Sequence, residues 1–387
     1  MQMKRAAAGL VLLMGCAVPG RVASADGDPP AAKSAPAEER PVDLCLCLDT
    51  SNSMDGLIDA AKRKLWDVVN DLARVQPKPH LRVALLSYGN NGYPKDEGWV
   101  RTDSPFTEDL DFISERLFAL KTWGGEECVG RVLDTALDRL KWSDDAKALR
   151  IAIVAGNESA DQDRAVPFLA TAAKAATRGV IVNSIYCGSA TDGIAPGWRE
   201  FAKLGEGEFA AIEQDRAPVV CVTPYDALLG TLSTSLNATY LPFGRHGTIA
   251  CNNQAAQDGN AAGLGCDAAA SRAATKASVN YSGRNGGWDL VDACNGRTVD
   301  LAKLPAEDLP EAMRKLTAEE RTKYVEEMGK KRAEIEKQVR ELAAKREEFI
   351  AAEMKKKGIT DDTSLDGAVR RAVRKQAERK GFTFEAK

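Results

Sequence analysis

The sequence predicts a doubly wound α/β domain with a mostly parallel sheet, followed by a helical, partly coiled-coil-like C-terminal region. Two observations carry that prediction. Between residues 41 and 237, short apolar runs of strand length alternate with amphipathic stretches of helical spacing. Beyond residue 306 the chain turns into charged sequence with a helical period. Strands separated by helices are joined by crossovers, so the sheet is parallel and covered on both faces.

The elements follow in order. Residues 42–48 form a buried strand, and Leu57, Ile58, Ala61, Leu65, Val68, Val69 and Leu72 then recur along one helix face. Residues 81–88 are a second strand and 98–102 a short third. Leu110, Ile113, Leu117 and Leu120 mark one helix, and Val129, Val132, Leu133, Ala136, Leu137 and Leu140 the next. A strand at 149–155, a helix at 164–177 and a strand at 180–186 continue the alternation. A helix at 198–204, a strand at 209–212 and a closing helix at 224–236 complete a Rossmann-like domain spanning 41–237.

Residues 238–305 change character, being rich in Ala, Asn and Gly with no strong apolar period, so loose helix or irregular structure is expected there. The last region, 306–387, reads as one long charged helix over 311–357 and a shorter basic one over 365–380. Met328, Ile335, Val339, Leu342 and Phe349 form a seam that Arg332 and Arg346 interrupt. A dimeric coiled coil, a helical hairpin and a helix packed on its own chain all satisfy that pattern, and self-association is one expectation.

Composition narrows the function classes. Charged residues make up 28% of 387 and the formal net charge is -3, which gives no reason to expect nucleic acid as a partner. The N-terminus has the form of a signal peptide over 1–25: two positive charges, an apolar run at 6–18 and Ala23-Ser24-Ala25 as a cleavage site. A Pro/Ala/Glu-rich linker, 26–40, follows. Export from a bacterial cell, to the periplasm, the envelope or the medium, is the expectation. A competing reading acylates Cys16 and ties the protein to a membrane. Cys45 and Cys47 alternate on one strand and point to the same face, whereas Cys251, Cys266 and Cys294 are the bridge candidates. With two histidines, His80 and His246, and no CxxC pair, a zinc site is not expected.

The chemistry is concentrated in Asp49-Thr50-Ser51-Asn52-Ser53, between the first strand and the first helix. A hard divalent cation takes oxygen ligands, and hydroxyls at alternate loop positions can face one centre beside the aspartate. Serine and aspartate before a helix are also ordinary capping residues. The strand-DxSxS-helix opening resembles a von Willebrand factor A (VWA) domain with its metal-ion-dependent adhesion site. The resemblance implies a second-loop threonine, matched by Thr122, and an acidic residue after the fourth strand, where this chain has Asn157 followed by Glu158. An amide there contributes no charge. The wider chain also resembles a group of exported bacterial proteins with this domain.

The expected metal set is thus Asp49, Ser51, Ser53, Thr122, Asn157 and Glu158, holding magnesium, with manganese or calcium as alternatives. The expected role is metal-dependent capture of a partner protein's carboxylate. The alternative is a scaffolding envelope protein acting through its C-terminal helices, with a degenerate metal loop. No enzyme is expected: no GxSxG elbow or HExxH helix occurs, and Glu126-Glu127 reads as loop charge.

Overall fold

The computed structural model describes residues 39–212, 221–358 and 365–384. The expected signal segment, Cys16 and nearly all of the expected linker lie outside the described residues. In chain order the strands are β1 (Arg40–Asp49), β2 (Val75–Gln76), β3 (Pro79–Tyr88), β4 (Val100–Thr107), β5 (Leu149–Gly156), β6 (Ile181–Tyr186), β7 (Glu206–Ala211) and β8 (Thr383–Phe384). The helices of the first part are α1 (Asp55–Leu72), α2 (Leu110–Phe118), α3 (Val129–Arg139), α4 (Phe168–Thr177), α5 (Ala195–Leu204) and α6 (Asp226–Asn237). The later ones are α7 (Gly244–Leu264), α8 (Cys266–Lys276), α9 (Leu290–Asn295), α10 (Ala318–Lys357) and α11 (Leu365–Arg379).

The main sheet has the order β4-β3-β1-β5-β6-β7. Only β4 runs antiparallel to its neighbour. β1 lies centrally and is covered on both faces, which is why its sequence is nearly continuously apolar. Leu44 and Leu48 face one layer with Leu57 and Leu65 of α1, Ile113 of α2 and Leu229 of α6. Cys45 and Cys47 face the other with Val132 of α3, Ala172 of α4 and Trp198 of α5. Their sulfurs lie 3.8 Å apart as buried thiols on one face.

Two of the differences from the sequence reading have physical causes, and a third concerns the cysteines. β4 runs on to Thr107 because its register against β3 shifts between Val83 and Leu86, which carries pairing past the expected end. α4 begins at Phe168, not 164, because Pro167 disfavours helix in the residue before it and Asp163 Oδ1 accepts the amides of Ala165 and Val166 in a local turn. Cys251, Cys266 and Cys294 form no bridge, all eight cysteines of the described residues being free thiols.

Within 238–305, where little order was expected, α7 and α8 pack on each other, α8 also against α1 and α6 and α7 against α2. α10 packs on α6, α8 and α9 of its own chain. α11 lies across β5, β6, β7 and α1, and β8 then pairs with β2. Among the described residues no helix is long and apolar enough to cross a membrane.

Candidate metal centre

Parallel sheets of this kind present ligand sites beyond the carboxyl ends of the strands, where strand order reverses. Here the reversal falls between β1, whose crossover leads outward to β3, and β5, which begins the second half. Asp49 ends β1, Gly156 ends β5, and the loop Thr50–Ser53 turns through a short 3-10 helix (Asn52–Met54) into α1. Thr50 anchors that loop, its amide and hydroxyl both donating to Tyr88 O at 2.8 Å.

The oxygens converge from the bottom up. Asp49 is wholly buried, and its Oδ1 accepts the Ser51 amide at 2.8 Å. Its Oδ2 is buried without a hydrogen-bond partner. Ser51 Oγ and Ser53 Oγ lie 3.4 Å apart, and Asn157 Nδ2 donates to Ser53 Oγ at 2.9 Å. That turns Asn157 Oδ1 into a second buried oxygen with no partner. Two glycines leave room for the cluster. A Cβ on Gly156 would sit 3.2 Å from Asp49 Oδ2 and 2.5 Å from the Tyr88 hydroxyl, and one on Gly89 2.8 Å from Asp49 Oδ1.

A central strand ending in this oxygen cluster, in a sheet whose sole antiparallel strand is the β4 edge, decides the architecture. Residues 40–237 form the doubly wound, mostly parallel α/β domain expected of a von Willebrand factor A domain. Among solved structures the chain is similar to the SpRpn10 VWA domain, with 15% identity over 44% of this chain and 87% of that one and a TM-score of 0.35. It is similar to the vWF domain of the type V pili tip protein Mfa5 from Porphyromonas gingivalis, with 14% identity over 44% of this chain and 90% of that one and a TM-score of 0.33. It is also similar to proximal thread matrix protein 1 from the mussel byssus, solved with a zinc-occupied MIDAS motif: 14% identity, 46% of this chain, TM-score 0.36. The match spans 43% of that mussel protein. No protein-family model matches the chain, and no curated protein does.

The predicted site residues divide into two groups. Asp49, Ser51, Ser53 and Asn157 are brought together. Thr122 is turned elsewhere, its hydroxyl donating to Asp55 Oδ1 at 2.5 Å. Glu158 is exposed at the rim, with its backbone oxygen taking the Trp198 indole proton at 2.9 Å. The residue that sequence reasoning missed is Glu127. Its neighbour Glu126 is exposed, as loop charge should be, but Glu127 is buried and, like Asp49, stands beside Gly89. Gln162 Nε2 donates to Glu127 Oε2 at 2.9 Å.

Electrostatics mark the cluster as acid-rich. Burial pushes the Asp49 carboxyl up to about 8, with the Ser51 amide opposing and the charges of Glu127 and Glu158 adding to the rise. Burial also raises Glu127, against the hydrogen bond from Gln162. Among the described residues no three His, Cys, Asp or Glu side chains group as a metal site. The donors here are carboxylate, hydroxyl and amide oxygens, the set that suits a hard divalent cation such as magnesium, manganese or calcium. Two buried oxygens without partners, Asp49 Oδ2 and Asn157 Oδ1, at the ends of adjacent strands fit such an ion.

Proposed function

We propose that this chain is an exported, metal-dependent protein-binding module of the cell envelope, not an enzyme. The observation that carries the reading is Asp49 Oδ2, a fully buried carboxylate oxygen left unpartnered at the switch point of the sheet beside two serine hydroxyls. Leaving such an atom unsatisfied costs free energy, and a cation would remove that cost. Asp49, Ser51, Ser53 and Asn157 would hold it, with magnesium as the first choice of ion. When bound, the ion supplies an electrophilic point at which an acidic side chain of a partner protein can dock.

This chain's own residues do the rest. The Tyr88 and Thr50 contacts fix the loop, so the oxygens are set before any ion arrives. Trp123 stands at the rim with 61% of its surface exposed, pinned by its amide to Thr50 O and by the Asn91 amide on its own carbonyl. A rigid exposed indole offers a partner apolar contact at low entropic cost.

Calorimetry of the full chain with magnesium, manganese and calcium tests the proposal. Uptake by the wild type and its loss in a Ser51→Ala, Ser53→Ala double variant is the expected result, with capture of an envelope partner lost in chelator. No heat at millimolar metal would overturn the metal reading. It would favour the scaffolding alternative, which the neutral Asn157 and the extensive helical region support.

A further inference from the structure

We infer that Glu127 is the second anionic ligand of the Asp49 centre, supplying the negative charge that Asn157 does not. The inference rests on the metal-binding reading above and concerns which residues make that site. Proteins hold such a hard cation through one or two carboxylates, and a site with a single carboxylate and neutral oxygens is weaker than one with two. Asp49 gives one. Ser51, Ser53 and Asn157 give none, and Thr122, also neutral, is held by Asp55.

Glu127 is the carboxylate placed to give the other. It is 7% exposed and lies two residues ahead of α3, its carbonyl accepting the Val129 amide at 3.0 Å. A Cβ on Gly89 would stand 2.8 Å from Asp49 Oδ1 and 3.3 Å from Glu127 Cγ, so both acids flank the same glycine. Gln162 holds the side chain by donating to Oε2 at 2.9 Å, and holds the backbone by accepting the Glu127 amide at 3.2 Å. A glutamate serving only as loop charge has no reason to be buried and clasped.

The decisive point is what is missing around the pair. Among the described residues neither Asp49 nor Glu127 forms an ion pair with lysine or arginine. Arg131 pairs with Asp163 and Arg139 with Glu97, while Lys121 is exposed. Two buried carboxylates flanking one glycine without a cation repel, and Asp49 Oδ2 remains unpartnered beside them. A bound dication resolves both facts at once. The neutral amide at Asn157 then makes sense, because a third buried acid would leave the loaded site negative.

Titration of the full chain with manganese tests this, using Glu127→Gln, Glu126→Gln and Asn157→Asp variants. Glu127→Gln should lose about 10- to 100-fold in affinity or more, the range for losing a group that supports a bound metal. Glu126→Gln, at the exposed neighbour, should bind as wild type does. Asn157→Asp placed in the Glu127→Gln background should regain much of the loss, because it returns the charge from the other side of the pocket. Thermal unfolding without metal guards against misfolding: Glu127→Gln should melt no lower than wild type, and manganese should raise the wild-type midpoint far more than the variant's. If Glu127→Gln binds as tightly as wild type while the double serine variant does not, Glu127 is no ligand and the metal reading stands. If the wild type itself takes up no manganese, the metal reading falls and this inference with it.

Discussion

Asp49 is held in place by what its neighbours lack. Gly89 has φ of 73°, a left-handed backbone that a side chain disfavours by about 1–2 kcal/mol, and its missing Cβ leaves the space beside Asp49 Oδ1. Gly89→Ala should therefore lower the unfolding midpoint by a few degrees and, in addition, weaken manganese uptake by displacing the carboxylate. Thermal unfolding and calorimetry on one preparation check both effects, and a lower midpoint with unchanged affinity would confine the glycine to a loop role. The contiguous half of the centre, Asp49 to Ser53, was legible because five adjacent residues carry it on one turn. Glu127 was not, since Glu126 and Glu127 look alike in sequence and differ only in how the chain enters α3. One signal was available: Glu127 adjoins Cys128 and Val129, where the buried run of α3 begins.

Elements were legible wherever apolar side chains do the packing. β1, α1, β3, α3, β5 and β6 fall within a few residues of their expected places because each buries a clean stripe or run. α7 was obscured because its inward face is polar: Gln254 donates to the Tyr281 hydroxyl at 2.8 Å, and Gln257 accepts from Ser114 at 2.9 Å. The same lesson applies to α10. Arg332 and Arg346, which break a heptad, lie on the same buried stripe as Ile335 and Val339 and act as its anchors. Arg332 bonds Asp289, Asp292 and Thr239 and stacks 4.1 Å from the Tyr240 ring centroid, while Arg346 bonds Asp226 at 2.8 Å. Their carboxylate partners are distant in sequence, so no local pattern reveals them. Arg332→Ala should cost about 3–5 kcal/mol in urea unfolding, because it strands two buried aspartates. Lys337→Ala, on the exposed side of the same helix, should stay within about 0.5 kcal/mol. Equal costs for the two would mean that α10 is attached through its apolar contacts alone.

At the scale of the molecule, the described residues belong to one compact unit, and charged groups buried between helices join the α/β domain to the C-terminal helices. Arg370 and Arg374 of α11 clasp Asp71 of α1, whose carboxyl they hold below its ordinary range against the effect of burial. Deeper still, Arg272 of α8 pairs with Asp111 of α2 at 2.6 Å and Asp258 of α7 at 2.9 Å. Lys276 of α8 is completely buried and shares Asp258 at 2.7 Å, with Ser233 and Asn237 of α6 as further acceptors. Burial brings the Lys276 ammonium down to about 8, Arg272 adding to the fall and Asp258 opposing it. A lysine in the unfolded chain titrates near 10.5, so between about 8 and 10.5 the unfolded state binds more protons and stability attributable to this group rises with pH. Below about 8 both states are protonated, and the contribution is flat at its least favourable level. Urea unfolding at pH 7 and pH 10 should therefore show wild type gaining on a Lys276→Met variant by up to about 3 kcal/mol. Asp258 keeps Arg272 in that variant, so its pH 7 stability should equal or exceed that of wild type. Parallel pH slopes in the two proteins would show that the lysine stays charged throughout and that Asp258 alone decides its state.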